Sequence, residues 1–264
     1  MPSPEGRFTL SVDVKCAKIV VATGAVVGFE ALLRWKHPQR GLVSPAEFIP
    51  IGEETGLIVP VGAWVLETAC QEAAQWPGEL SVAVNVSPTQ FSRSNFAQTV
   101  HECLIKTGLK PGRLELEITE NVLIDDFEHT VHVLRQLKAL GVRIAMDDFG
   151  TGYSSLSTLQ AISFDKLKID RSVTCNLGHN DQAASIVRAV IGLSKSLNIP
   201  VLAEGVENAQ HVAFLRREQC DEAQGFGISE PMPVSAIPEF LADHAIKVVE
   251  QSRLSNVSRI PIAS

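Results

Sequence analysis

Two adjacent aspartates, Asp147 and Asp148, follow an apolar segment in the sequence RIAMDDFGTGYSSL, residues 143–156. The apolar residues are typical of a β-strand, and the glycines beyond the aspartates are typical of a loop. An Asp-Asp pair alone also occurs at helix N-termini and in solvated turns. Neighbouring carboxylates repel each other, and two divalent ions relieve that repulsion when one carboxylate bridges both ions. Paired ions of this kind promote phosphoryl transfer.

Further polar residues fall at equivalent positions along the chain. In each of seven successive predicted strands, the last residue on the polar face has a side chain with an oxygen or nitrogen group. Because the carboxyl ends of barrel strands converge on one mouth, we expect these side chains to meet there. This set, called the polar ring below, consists of Glu30, Asn85, Glu117, Asp147, Lys168, Glu204 and Gln224. Its ligands are hard oxygens without histidine or cysteine, which favours two Mg²⁺ or Mn²⁺ ions over structural zinc.

Each member of the polar ring also has an ordinary structural explanation. The segment ELEITE could be an edge strand whose glutamates form surface salt bridges. Lys168 could extend along its strand to solvent, and Glu204-Gly205 could form a plain strand-to-helix turn. The repetition of such residues at the same place in seven successive units favours a site over seven separate coincidences.

Strand-like and helix-like segments alternate from residue 25 onward, which predicts a parallel α/β sheet. The length of the chain favours a TIM-like (β/α)8 barrel over an open sheet. An irregular, antiparallel first strand over Phe8–Val21 would close the barrel at eight strands. We therefore predict a barrel domain over residues 8–245, between an N-terminal tail (1–7) and a polar C-terminal tail (246–264).

Helix signals support this alternation. Ser44 and Glu47 match a capping box with proline at the first helical position, and Ser87-Pro88 marks a second helix start. The segment DDFEHTVHVLRQLKALG predicts a helix that ends at Gly141. One buried face of that helix is predicted from the spacing of Phe127, Val131, Leu134 and Leu137.

Composition narrows the class of protein. The 264 residues are 45% hydrophobic and carry a formal net charge of -7, which is ordinary for a globular domain and unsuited to a nucleic-acid polymer. No apolar run is long enough to cross a membrane, and no signal peptide is recognisable. The five cysteines form no metal-binding spacing. We expect reduced thiols and a cytoplasmic chain without membrane insertion.

The chain resembles the EAL domain family of cyclic-di-GMP phosphodiesterases. The resemblance spans roughly residues 8–245 and follows the family's motifs in order. They are EALLRW (30–35), NVS (85–87), ELEITE (115–120), DDFGTGYSSL (147–156), KLKID (166–170), AEGVE (203–207) and QGF (224–226).

The resemblance implies a role for each site residue. Glu30, Asn85, Glu117 and Asp147 would bind the first metal ion, and Asp147, Asp148 and Glu204 the second. Lys168 would orient and activate the attacking water, and Gln224 would contact a water bound to metal. Leu33 and Arg34 would contact the substrate, with Arg34 as a forked donor to phosphate. Glu120 would anchor the loop that begins at Asp147, and Glu207 would support the mouth.

The implied reaction is metal-dependent hydrolysis of cyclic di-GMP to linear 5′-pGpG, which would lower this bacterial second messenger. The alternative is an EAL-type receptor that binds cyclic di-GMP with little or no catalysis. The resemblance also implies a homodimer, with the helix after the DDFGTG loop at the contact.

Two segments that flank the substrate groove depart from the family pattern. Lys15-Cys16-Ala17 stands where the family has Tyr-Gln-Pro. The segment GFGISEP stands where the pattern is close to GYLFS followed by a basic residue and proline, so that Gly227 and Glu230 differ.

Overall fold

The computed structural model describes residues 9–123, 126–150, 159, 161–178 and 180–245. The predicted tails, residues 1–7 and 246–264, lie outside the described residues, as does most of the loop after Asp148. Nine strands are described: β1 (Thr9–Val20), β2 (Val26–His37), β3 (Gly41–Val43), β4 (Ser81–Asn85), β5 (Leu114–Ile118), β6 (Arg143–Phe149), β7 (Lys166–Ile169), β8 (Val201–Ala203) and β9 (Glu222–Ala223).

The described α-helices surround these strands and mostly alternate with them. They are α1 (Pro45–Thr55), α2 (Ile58–Ala74), α3 (Pro88–Arg93), α4 (Phe96–Thr107), α5 (Phe127–Ala139), α6 (Arg171–Thr174), α7 (Asp181–Leu197) and α8 (Ala209–Arg217). A 3-10 turn at Val234–Ala236 leads into a last helical segment over residues 237–245. Among the described residues, none of the helices combines the length and apolar character that crossing a bilayer requires.

Eight strands form a closed barrel, which confirms the predicted fold class. The order is β1-β9-β8-β7-β6-β5-β4-β2, and β1 pairs with β2 to complete the circle. β1 is antiparallel to both of its neighbours, whereas the pairs from β2–β4 through β8–β9 are parallel. The short strand β3 forms a hairpin edge with β2 outside the barrel and was not predicted.

The barrel wall separates an apolar layer beneath the helices from charged side chains inside the barrel. Leu114, Leu116 and Ile118 of β5 are fully buried and pack outward against the helix layer. Between them, Glu115 and Glu117 point into the barrel and are equally buried. The period-two pattern of a strand therefore places the apolar core outside the sheet and the charged groups inside it.

Two local predictions about helices were wrong in detail. Ser44 begins α1 without a side-chain cap, and Glu47 pairs with Arg40 at 2.6 Å rather than with the backbone at the helix start. A complete capping box begins α3 instead, with Ser87 and Gln90 as its two members. Phe127, the first residue of α5, is 42% exposed, so the buried face of that helix begins one turn later.

Strand β2 extends well beyond Glu30. β2 continues seven residues further to His37, because its outer part forms the hairpin with β3 and pairs with β1. Glu30 nevertheless lies at the barrel mouth, the end of the barrel at which the carboxyl ends of its parallel strands meet. The parallel pairing of β2 with β4 stops at Ala31, one residue beyond Glu30.

Candidate active site

Lys168 lies at the centre of the barrel mouth and is fully buried. Its Nζ is 2.6 Å from Glu117 Oε2, 2.9 Å from Glu204 Oε1 and 3.0 Å from Asp147 Oδ1. Burial alone would lower the pKa of Lys168, but the surrounding carboxylates raise it well above its ordinary value. Lys168 is therefore an ammonium group at neutral pH, which donates hydrogen bonds and does not accept a proton.

Glu30 is held on the opposite side of the mouth by two amides. Asn85 Nδ2 donates to Glu30 Oε1 at 2.8 Å, and Gln224 Nε2 donates to Glu30 Oε2 at 2.8 Å. The structure thus brings all seven members of the polar ring together. Gln224 Oε1 is buried and has no hydrogen-bond partner among the described residues. A buried amide oxygen without a protein donor is suited to accept a hydrogen bond from water.

Burial and the neighbouring carboxylates disfavour the ionised form of Asp147. Its pKa rises to about 7, first because of burial and then because of repulsion by Glu117, Glu204 and Glu30, while Lys168 opposes the rise. Four carboxylates face one central ammonium group here, so the site has an excess of negative charge. Such a site favours an additional cation.

Asp148 leaves the strand direction at this point. Its backbone adopts φ +56°, a left-handed conformation that Asp tolerates better than most residues, and its N–H donates to Asp147 Oδ1 at 3.0 Å. The Asp148 carboxyl thereby comes within hydrogen-bonding contact of Asp170. Burial, followed by repulsion from Asp170 and Glu204, raises the pKa of Asp148.

Asp170 and Lys18 lie at this site but were not among the predicted site residues. Asp170 caps α6 through the N–H of Ser172, at 2.9 Å, and adds a carboxylate beside Asp148. Asp170 ends the motif KLKID one residue beyond β7, and its period-two spacing from Lys166 and Lys168 was the signal. Lys18 Nζ donates to Glu117 Oε1 at 2.8 Å from across the barrel. Its only sequence signal was a lysine within the apolar segment CAKIVV.

The remaining predicted site residues line the rim. Leu33 and Arg34 border a cavity of about 440 Å³ that reaches Asn85. Arg34 Nε lies 3.7 Å from Asp13 Oδ2, and Glu207 Oε1 lies 3.0 Å from Arg171 Nη2. These residues do not contact the central carboxylates through any hydrogen bond that the structure describes.

Glu120 is the first residue of the 3-10 helix Glu120–Leu123, which follows β5. Burial raises the pKa of Glu120, and its Oε1 is buried without a hydrogen-bond partner among the described residues. Residues 151–158 of the loop that begins at Asp147 lie outside the described residues. The anchoring role of Glu120 and the homodimer contact therefore stay predictions.

The first departure from the family pattern is accommodated by a bulge. Between Val14 and Ala17, β1 has one residue more than the part of β2 that pairs with it. This extra residue forms a β-bulge. Alanine has a backbone N–H that proline lacks, and Ala17 N donates to the buried Ser229 Oγ at 2.7 Å. Strand β1 thus keeps its place in the barrel.

The sequence pattern described as "EAL domain" matches residues 18–231. The chain belongs to the EAL domain family. It is 57% identical over 216 residues to an uncharacterised signalling protein of Caulobacter vibrioides. The matched segment covers 82% of this chain and 27% of that protein.

Two relatives from Pseudomonas aeruginosa have names that state an activity. The bifunctional diguanylate cyclase/cyclic di-GMP phosphodiesterase MucR is 42% identical over 224 residues, covering 83% of this chain and 33% of MucR. The cyclic di-GMP phosphodiesterase NbdA is 39% identical over 227 residues, covering 84% of this chain and 29% of NbdA. The chain spans between about a quarter and a third of the length of these relatives.

A solved structure of a MucR phosphodiesterase in complex with c-di-GMP shares the fold of this EAL domain. The two chains are 40% identical with a TM-score of 0.82, and the match covers 86% of this chain and 94% of the other. The closed barrel with one antiparallel strand is thus the fold expected of this family.

Gly227, in the second segment that departs from the family pattern, packs closely against the backbone of Glu207 and Asn208. A Cβ added at Gly227 would lie 2.5 Å from the carbonyl carbon of Glu207 and 2.7 Å from the backbone nitrogen of Asn208. Gly227→Ala is therefore expected to displace the segment that carries Glu207 and to lower the free energy of unfolding by about 1–3 kcal/mol. Urea unfolding would measure this loss.

The matched control for this prediction is Gly192→Ala. Gly192 lies inside α7, where an added Cβ meets nothing within 4 Å. That change is expected to raise stability by roughly 0.5–1 kcal/mol, because alanine favours the helix. Equal stability of the two variants would show that the backbone contact at Gly227 imposes no restriction.

Proposed function

We propose that this EAL domain hydrolyses cyclic di-GMP to linear 5′-pGpG in a metal-dependent reaction. The observation that carries the proposal is the complete polar ring, in which Lys168 lies 2.6–3.0 Å from three carboxylates at the barrel mouth. The activities in the names of MucR and NbdA, and the c-di-GMP complex of a MucR structure, support the same substrate.

The donor chemistry of the site fits divalent ions. Glu30, Asn85, Glu117 and Asp147 would hold the first Mg²⁺ or Mn²⁺ ion, and Asp147, Asp148 and Glu204 the second. The crowding that raises the pKa of Asp147 to about 7 is the observation that supports this assignment, since divalent cations relieve it. Asp170, in contact with Asp148, would offer a further oxygen donor to that second ion.

The ring carboxylates are arranged around Lys168 in this structure. Within the described residues, no three acidic, histidine or cysteine side chains converge as they stand on one point suited to a metal ion. The ammonium group of Lys168 lies between the carboxylates and draws them toward itself. Divalent ions bound by Glu117, Asp147 and Glu204 would compete with Lys168 for the same carboxylate oxygens.

Side chains at the barrel mouth would orient water and bind the substrate, in addition to holding the ions. Divalent ions would supply positive charge at the scissile phosphate and make water a stronger nucleophile at neutral pH. Lys168, as a protonated donor, would orient the attacking water. Gln224 Oε1, which has no partner among the described residues, would accept a hydrogen bond from water. Arg34 would donate to a phosphate oxygen, and the cavity beside Leu33 would receive part of the dinucleotide.

Turnover of cyclic di-GMP tests the proposed function. We expect the purified chain to form pGpG with Mg²⁺ or Mn²⁺, to lose that activity with a chelator, and to be inhibited by Ca²⁺, with products separated by chromatography. Tight binding of cyclic di-GMP without product under these conditions would instead support the receptor function.

A further inference from the structure

A second layer of charged groups lies directly beneath the polar ring, inside the barrel. We call it the buried ladder, and it consists of Lys18, Glu115, Lys166 and Glu222. Lys18 Nζ lies 2.7 Å from Glu115 Oε1, Lys166 Nζ lies 2.7 Å from Glu115 Oε2, and Lys166 Nζ lies 2.8 Å from Glu222 Oε2. Only Glu222 has notable side-chain exposure, at 17%.

The ladder meets the polar ring at one carboxylate, Glu117. Glu117 Oε1 accepts from Lys18 at 2.8 Å, and Glu117 Oε2 accepts from Lys168 at 2.6 Å. The two oxygens thus have separate partners, one in each layer. Lys18 comes from β1, the antiparallel strand, and reaches the carboxylate of β5 across the interior of the barrel.

Two hydrogen bonds and complete burial hold the Lys18 side chain in one position. It is fully buried, and Glu115 and Glu117 each receive a hydrogen bond from its Nζ. Glu115 is itself held by Lys166 through its other oxygen. Long side chains of this kind lose freedom when several donors and acceptors hold them at once, and such outer contacts orient the ligands of functional sites.

We propose that Lys18 is a positioning residue for Glu117. By holding Oε1 from below, Lys18 keeps Oε2 directed toward the barrel mouth, where the proposed function requires a metal-ligand oxygen. Lys18 lies one layer beneath the polar ring and acts through Glu117. The inference rests on the proposed function, and it differs from a purely structural role in which Lys18 only balances the charge of Glu115.

Mn²⁺ binding, measured by the electron paramagnetic resonance signal of free Mn²⁺, separates these roles without an activity assay. Lys18→Met is expected to weaken Mn²⁺ binding by about 10- to 100-fold. Lys166→Met is the matched control, because it removes a ladder lysine that contacts Glu115 and Glu222 but no member of the polar ring. That variant is expected to keep the wild-type Mn²⁺ affinity within about twofold.

The double variant Lys18→Met/Glu115→Gln keeps the net charge of the interior unchanged. We expect it to recover thermal stability relative to Lys18→Met while its Mn²⁺ binding stays weak, because Glu117 Oε1 still lacks its donor. Should Lys18→Met fail to fold, this double variant provides the same measurement.

The outcomes distinguish the two proposals. Recovery of both stability and Mn²⁺ affinity in the double variant, or unchanged affinity in Lys18→Met, would overturn the positioning role while leaving the proposed function intact. Wild-type protein that binds no Mn²⁺ would contradict the proposed function and this inference with it.

Discussion

Asp147→Asn is expected to abolish hydrolysis of cyclic di-GMP, lowering turnover by at least about 1,000-fold, or about 4 kcal/mol of activation free energy. Asp147 is the carboxylate proposed to bridge both metal ions, and it lies 3.0 Å from Lys168 Nζ. An amide has one neutral oxygen acceptor, so it cannot bridge two ions as a carboxylate does. Chromatography of the products over a time course would measure the loss.

The control for this prediction is Asp165→Asn. Asp165 lies at the opposite end of the same barrel region, where its Oδ2 accepts from Ile144 N at 2.7 Å and its Oδ1 pairs with Lys138. We expect this change to reduce stability and to leave turnover of the folded protein within about threefold, since surface-side carboxylates do not act in the chemistry. Full activity of Asp147→Asn would show that the two-metal assignment is wrong.

The same Asp147→Asn change is expected to stabilise the metal-free protein. The pKa of Asp147 is raised from 3.8 to about 7 in the folded chain. The folded state therefore binds more protons than the unfolded state between these values, and stability falls as the pH rises through this window. Asparagine removes that loss, by up to about 4 kcal/mol above pH 7. Urea unfolding in a chelator at pH 4 and pH 8 would measure it.

Lys168→Met is expected to have the second largest effect. Turnover should fall about 100- to 1,000-fold, because one preorganised donor at the reaction centre is lost. Stability without metal should fall by about 3–5 kcal/mol, because the buried carboxylates of Glu117, Asp147 and Glu204 lose a shared cation. Mn²⁺ should recover much of that stability, since it binds the folded state alone. Thermal unfolding with and without Mn²⁺ would measure both effects.

Lys166→Met is the matched control for this second prediction. It also removes a buried cation, but its partners Glu115 and Glu222 lie beneath the polar ring. We expect it to destabilise the chain without recovery on addition of Mn²⁺ beyond that of the wild type. If Mn²⁺ stabilised Lys168→Met no more than the wild type, Lys168 and the metal ions would not share the same carboxylates.

The alternation of polar and apolar residues predicted most of the barrel. Leu114, Leu116 and Ile118 packed outward and Glu115 and Glu117 inward, because a strand directs successive side chains to opposite faces. The motifs in their order predicted the EAL domain family, which the match over residues 18–231 shows. Local periodicity and motif order are properties of the chain itself, so they are recognisable without knowledge of the fold.

Helix caps and strand ends were less predictable, because tertiary neighbours compete for the same groups. Glu47 left its expected capping position to pair with Arg40, and Ser87 and Gln90 formed the complete capping box. β2 continued past Glu30 because a hairpin with β3 was available. Each outcome depended on a partner that the local sequence does not specify.

The sequence by itself determined the oxygen donors of the polar ring and the order of strands that carries them. Only the tertiary structure showed that Lys168 lies among three carboxylates, that Asp148 turns to Asp170, and that Lys18 holds Glu117 from beneath. The 99-residue separation of Lys18 and Glu117 explains the difference. Contacts across a barrel depend on closure and register of all its strands, and register over such distances is set by the packing of the whole fold.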